Sequence, residues 1–273
     1  MDSAYRRAYH SAHEALGQAL AHDGGSIDPA RLADEVWAVA RLVDGNAALR
    51  RSLADPSREG SDRASLAEKV LAGKVSHGTV HVVKGVVAQR WSDPGAVGTA
   101  LQRLGVESQL EHAERHGRLT QVEDELFRFS RIVEGTPDLQ AALSDRRAQD
   151  SAKRSLVERL LSIKAAPETV SLAVQAVAGL RGARFDRSLR AFLEQASERQ
   201  QQVNAVVTSA IPLTEAQLET LRSALSRQYG RQVHTNVVID SDVVGGIRVE
   251  IGDEVVDGTI SHRLAEAHRR MTG

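Results

Sequence analysis

Residues Val233–Leu264 read VHTNVVIDSDVVGGIRVEIGDEVVDGTISHRL. Val233, Thr235, Val237 and Ile239 alternate with other residues, which is the period of a half-buried strand. Ile247, Val249 and Ile251 alternate in the same way with Arg248 and Glu250. Gly252-Asp253 predicts a hairpin turn, and Val255-Val256 begins the returning strand. Asp257 then precedes a helical spacing of Ile260, Leu264, Ala267 and Met271 and is placed to cap it. Gly245-Gly246 lies between two strands. A strand followed by a helix, the context of a phosphate-cradling loop, is absent there, so the pair is expected to supply backbone with positive φ in a turn or bulge.

Working backward, Val203–Ser209 reads as another strand and Thr214-Glu215-Ala216-Gln217 as a capping box. The box opens a helix with Leu218, Leu221 and Leu225 on its core face. Residues 203–273 thus form a small α/β domain of strand, helix, strands and helix.

Ahead of this domain the spacing is helical throughout. Ala8, Ala12, Leu16 and Leu20 share one face, and Asp28-Pro29 is an N-cap followed by proline at the first helical position. Leu32, Val36, Val39 and Val43 follow at helical spacing. Leu49 and Leu53 mark a short helix before Asp55-Pro56. Ser61 is expected to cap a helix carrying Leu66, Val70 and Leu71, and Val80–Trp91 to form another.

The series then recurs at an offset of 90 residues. Glu35, Arg41, Val43, Gly45, Leu49, Leu53 and Asp55 match Glu125, Arg131, Val133, Gly135, Leu139, Leu143 and Asp145. Ser65, Leu66, Glu68, Leu71 and Lys74 match Ser155, Leu156, Glu158, Leu161 and Lys164, and Thr79, Val80, Val87 and Ala88 match Thr169, Val170, Val177 and Ala178. A period of this length exceeds a solenoid unit and suits a small helical bundle. The expected architecture is mainly α: a first helical bundle over 1–95, a second over 96–202 joined through the helical stretch Ala96–His116, and the α/β domain over 203–273.

The chemistry-bearing motifs are few. There is no cysteine, hence no disulfide or zinc–thiolate site. His10/His13, His77/His81 and His112/His116 have the spacing of paired ligands on a helix face, but no HExxH motif or third ligand accompanies them, so no metal is expected. Arg146-Arg147 and Lys153-Arg154 are diluted by Asp145, Asp150 and Glu158, and the formal net charge of −1 gives no pull toward nucleic acid. No nucleophile, base and orienting group assemble, no nucleotide-binding fingerprint occurs, and no catalytic residue or cofactor is expected. No apolar run reaches the ~18 residues of a membrane span, and no signal-peptide core follows the N-terminus.

Asp240, Gly245-Gly246, Arg248, Gly252-Asp253, Val256-Asp257-Gly258 and Arg263-Leu264 resemble the C-terminal signature of the delta subunit of F-type ATP synthases, the family of the mitochondrial oligomycin-sensitivity-conferring protein. Thr259 replaces the usual serine and keeps the hydroxyl. The resemblance runs from about Leu104 onward, and the first bundle is an addition to the usual plan. It implies a non-catalytic subunit, one copy per complex, that links the catalytic head to the peripheral stalk on the cytoplasmic face of the cell membrane and resists rotor torque. Membrane association would come only through partners. The implied partners are the N-terminal tails of the alpha subunits, docked as helices in a groove, and the b subunit of the stalk. The residues this assigns to the alpha tails are Val80, Val83 and Val87 and their counterparts Val170, Ala173 and Val177, which also fit a plain bundle core. Two bundles at a fixed offset imply two such grooves. An RNA-binding or transcription-associated helical adaptor is the alternative.

Overall fold

Heptad-like spacing of small and aliphatic residues builds helices that bury one stripe each, and the chain is mainly α, as expected. The computed structural model describes residues 3–21, 27–145, 147–178, 184–201, 203–229, 233–240, 243, 245–251 and 254–258. The chain divides into two compact units, Met1–Ser197 and Glu198–Gly273.

In the first unit, α1 (Ser3–Ala21), α2 (Pro29–Gly45), α3 (Ala47–Leu53), α4 (Gly60–Leu71) and α5 (His77–Ala88) lead into the long α6 (Ala96–Arg115). Then come α7 (Leu119–Gly135), α8 (Pro137–Ser144), α9 (Asp150–Leu161), α10 (Pro167–Val177) and α11 (Phe185–Gln201). The Asp28 carboxylate accepts the Ala30 amide, as a cap should, and Pro29 opens α2. The boundaries of α4 and α5 differ from the sequence expectation. Helix α4 starts at Gly60, so Ser61 lies inside its first turn, where its carbonyl accepts the Ser65 hydroxyl at 2.9 Å. Helix α5 starts three residues before Val80, because the Ser76 hydroxyl caps it by accepting the Thr79 amide. It ends before Trp91, whose indole instead donates to the Val86 carbonyl at 2.8 Å.

Helix α6 serves two cores. Val97, Leu101 and Leu104 close the first core, together with Leu16, Leu20, Leu32, Val36, Val83 and Val87. Val106, Leu110 and Ala113 open the second, together with Val122, Leu126, Phe129, Ala173 and Val177. At the 90-residue offset Val106 and Leu110 stand where Leu16 and Leu20 stand in α1. Phe185, Leu189 and Phe192 of α11 close the second core with the same spacing that Val97, Leu101 and Leu104 use for the first. One helix therefore ends one repeat and begins the next. Burial of each such Leu or Val contributes about 1.5–3 kcal/mol.

The second unit holds β1 (Val203–Ser209), α12 (Glu215–Tyr229), β2 (Val233–Ile239), β3 (Ile247–Ile251) and β4 (Glu254–Asp257), in sheet order β2-β1-β3-β4. Strands β1 and β2 pair in parallel, which demands a crossover, and α12 is that connection. Strands β1/β3 and β3/β4 pair antiparallel. The capping box forms as read: Gln217 Oε1 accepts the Thr214 amide at 2.8 Å and the Gln217 amide donates to the Thr214 hydroxyl at 3.4 Å. Leu225 is buried with Ala205, Val207, Val233, Val249 and Ile251, and Leu221 packs on that cluster.

Candidate partner-binding site

The repeat fixes its helix pairs with a carboxylate. Glu35 on α2 reaches the start of α5, where it accepts the Ser76 amide at 2.8 Å, the Ser76 hydroxyl at 2.6 Å and the Thr79 hydroxyl at 2.7 Å. Glu125 on α7 does the same at the start of α10, accepting the Ala166 amide at 2.8 Å and the Thr169 hydroxyl at 2.6 Å. These are the same positions in both copies, so the identity of Glu35 and Thr79 with Glu125 and Thr169 records a shared joint. Burial pushes the Glu35 carboxyl up, but the bonds from Ser76 and Thr79 outweigh it and hold it at about 2. Glu125 is lowered against the same opposing burial by Thr169, Gln121 and the Ala166 amide.

The candidate site consists of two equivalent helix pairs, α1 with α5 and α6 with α10. Of the residues assigned to partner docking, Val83, Val87 and Ala173 are fully buried and Val177 nearly so. These four belong to the bundle cores. Val80 and Val170 are half-buried; Val80 packs against the first core, and Val170 lines a cleft beside α2. The pairs differ in closure. A methyl at Gly85 of α5 would lie 2.4 Å from Cβ of Ala15, so α1 and α5 meet directly. The counterparts of Gly85 and Ala15 are Gln175 on α10 and Gly105 on α6. Against Gly105 lies the Trp37 indole of α2, its Nε1 2.3 Å from where a Cβ would sit and donating to the Gln102 carbonyl at 3.2 Å. Arg41, one turn further along α2, donates to Gln175 Oε1 at 3.1 Å. A cleft of about 360 Å³ remains beside them, lined in part by Asp34, Trp37, Arg41, Arg154, Val170 and Val174.

A polar joint ties α6 to α10. Glu168, fully buried, receives the His112 ring at 2.7 Å, and the Arg118 guanidinium bonds both of its oxygens. Burial raises the Glu168 carboxyl, and the Arg118 and His112 bonds bring it below its ordinary value. His112, His116 and Glu168 thus come together, with ligand atoms within 4.8 Å of one another, although the sequence offered no third partner for the histidine pair. The guanidinium on both carboxylate oxygens occupies the place a cation would take, and the cluster acts as an ion-pair joint.

In the second unit the signature residues shape turns. Gly245 and Gly246 have φ of 61° and 84°, the left-handed region expected of the pair. The Asp240 amide donates to the Ser209 carbonyl at 2.9 Å, tying the end of β2 to β1. Arg248 pairs with Glu250 at 2.7 Å and stands opposite Asp257 in the β3/β4 register. The Gly258 amide donates to the Ile247 carbonyl at 2.9 Å, and a Cβ on Gly258 would come within 3.1 Å of that oxygen. Gly252, Asp253, Thr259, Arg263 and Leu264, with the expected final helix, lie outside the described residues.

The family model of the ATP synthase delta (OSCP) subunit matches residues 106–271. The match begins within α6, at the half that opens the second core, and runs through the signature. The chain belongs to the ATP synthase delta (OSCP) subunit family. Whole-length relatives agree. The delta subunit of Kineococcus radiotolerans is 43% identical over 96% of this chain and 95% of its own. That of Streptomyces griseus is 43% identical over the full length of both chains, and that of Thermobifida fusca is 43% identical over 91% of this chain and 92% of its own. These relatives align over the first repeat as well, so delta-family chains of this length share the segment ahead of the family match. An RNA-binding or transcription-associated adaptor, the alternative expectation, finds no support in these relatives. Among the described residues no helix is long and apolar enough to cross a membrane.

Sequence reasoning missed three groups that hold the first unit of this delta-family chain together. Arg63, buried on α4, donates to the carbonyls of Val87, Ala88 and Gln89 at the end of α5 and to those of Asp55 and Arg58. Its counterpart is Lys153, so a basic pair at the repeat offset was the available signal. Glu107 on α6 receives Tyr9 at 2.6 Å and His13 at 2.6 Å from α1, with Arg103 stacked over the Tyr9 ring. Trp37 was missed because its counterpart, Phe127, is half-exposed, and only the neighbouring bundle explains the difference.

Proposed function

We propose that this chain is the subunit that joins the catalytic head of a rotary proton-driven ATP synthase to its peripheral stalk, on the cytoplasmic face of the membrane. It holds the head stationary against rotor torque and carries no catalytic step of its own. The observation that carries this reading is the identity of 43% with a delta subunit over the whole of both chains. The physical features agree with a mechanical part. The buried charges Arg63 and Glu168 and the half-buried Glu107 are all used as joints between helices, and a buried charge resists shear because breaking its pair leaves a partner unpaired in the interior.

In this reading residues 1–202 are the two bundles and 203–273 the α/β domain. The helical unit meets the alpha-subunit N-terminal tails at the half-buried Val80 and Val170, over the buried Val83, Val87, Ala173 and Val177. The C-terminal unit meets the b subunit. One copy serves each complex. The test is affinity isolation of the tagged chain from membranes in mild detergent. Co-isolation of alpha, beta and b subunits in constant ratio is expected. Isolation of the chain alone, or with nucleic acid, would overturn the reading.

A further inference from the structure

The cleft of about 360 Å³ opens where α2 of the first repeat approaches α9 and α10 of the second. Arg41 enters it from α2 and Arg154 from α9. Burial and then the charge of Arg154 lower the proton affinity of Arg41, against the smaller pull of Asp34. The two guanidiniums thus repel each other across the cleft, and neither is held in an ion pair. Arg41 has one hydrogen bond, to Gln175 Oε1. Among the described residues Arg154 has no hydrogen bond or ion pair. Asp34 and Glu158 also line the cleft, but neither forms an ion pair with either guanidinium. Gln175 gives a second, independent sign. Its side chain lies on the buried side of the cleft, the residue is 4% exposed, and Nε2 has no acceptor among the described residues. A buried amide donor without an acceptor is costly. At the 90-residue offset Arg154 and Gln175 correspond to Ala64 and Gly85, so these donors are no part of the frame that the repeats share.

We propose that this cleft binds a phosphate oxyanion, free or borne by a small phosphate ester, between Arg41, Arg154 and Gln175. Two guanidiniums offer planar N–H pairs that match the oxygens of a phosphate, and a bound oxyanion replaces their repulsion by two charge-assisted contacts. Gln175 Nε2 gains the acceptor it lacks. Pro167, Val170 and Val174 form an apolar wall that suits the organic part of an ester. The bound oxyanion ties α2 to α9 and α10, so occupancy stiffens the joint between the repeats. The site is independent of the head and stalk partners proposed above.

The test titrates the full chain by calorimetry with inorganic phosphate and, in a second arm, with ADP, while chloride holds the ionic strength constant. Unfolding midpoints are measured with and without each anion. The expected result is saturable binding of one anion per chain and a raised midpoint. Saturation by phosphate itself assigns the site to the free anion, and saturation by ADP alone assigns it to an ester. Arg154→Gln should weaken binding by at least about tenfold, the weight of one charge-assisted hydrogen bond. Because Arg154 has no partner among the described residues, its loss should leave the anion-free midpoint unchanged. Gln175→Glu is the second variant. It sets a carboxylate of the same shape beside Arg41, so it should raise the anion-free midpoint and abolish binding. No saturable binding of either anion, parent-like binding by Arg154→Gln, or parent-like binding by Gln175→Glu would overturn the proposal.

Discussion

Replacing Glu35 by Gln removes a charge and leaves the shape. In the folded chain this carboxylate accepts three bonds at the start of α5 and one from the exposed Arg31. Its side chain is only 17% exposed, so solvent screens these bonds weakly. The ordinary value of 4.5 falls to about 2 in the fold. At ~1.4 kcal/mol for each tenfold change in proton affinity, the ionised form contributes up to about 3 kcal/mol at pH 7. The sign follows from a folded value below the unfolded one. The contribution is fully present above about pH 4.5 and is lost as pH falls toward 2. Glu35→Gln should therefore cost up to about 3 kcal/mol at pH 7 and only about 1 kcal/mol near pH 3. The assay is urea unfolding followed by tryptophan fluorescence, since Trp37 and Trp91 both lie in the first unit. Glu125→Gln is the internal control. It should cost less, because Ala166 supplies an amide but no hydroxyl where Ser76 supplies both. An unchanged midpoint at pH 7, or a loss that does not shrink on acidification, would refute the reasoning.

Arg63→Lys should destabilise the first unit by about 2–3 kcal/mol, since one ammonium cannot reach carbonyls at the end of α5 and in the α3–α4 connection together; an unfolding midpoint equal to that of the parent would count against the network. Gly246→Val should cost the second unit at least about 1 kcal/mol, because φ of 84° is strained for a β-branched residue, and a denaturant melt of that unit gives the answer. Deleting Val233–Gly273 should preserve most of the helical circular dichroism while abolishing capture of the b subunit; loss of the helical signal would deny the first unit its independence.

The local elements were legible because their signals are local. The Asp28-Pro29 cap, the Thr214–Gln217 box and the alternation of β3 each act within a few residues, and each appears as read. The repeat was legible too, since Glu35 and Glu125 make matching bonds. What could not be read was how one repeat meets the next. Val83, Val87 and Ala173 lie on the inner face of their helices, and a valine stripe alone does not say which face is covered. Trp37 and Phe127 occupy equivalent positions with opposite exposure. That difference depends on a helix from the adjoining bundle and has no signature in the local spacing. The sharing of α6 between cores was hidden for a related reason: its two apolar halves face different bundles, so no single stripe runs its length.

The central claim is that this chain couples a stationary head to a stalk. Membrane vesicles depleted of the subunit and then resupplied with it, energised by a proton gradient, test that claim most directly through the rate of ATP synthesis. Depletion should abolish synthesis while ATP hydrolysis by the catalytic head continues, and adding the full chain should restore synthesis. Synthesis that proceeds unchanged in vesicles shown to lack the subunit would contradict the account.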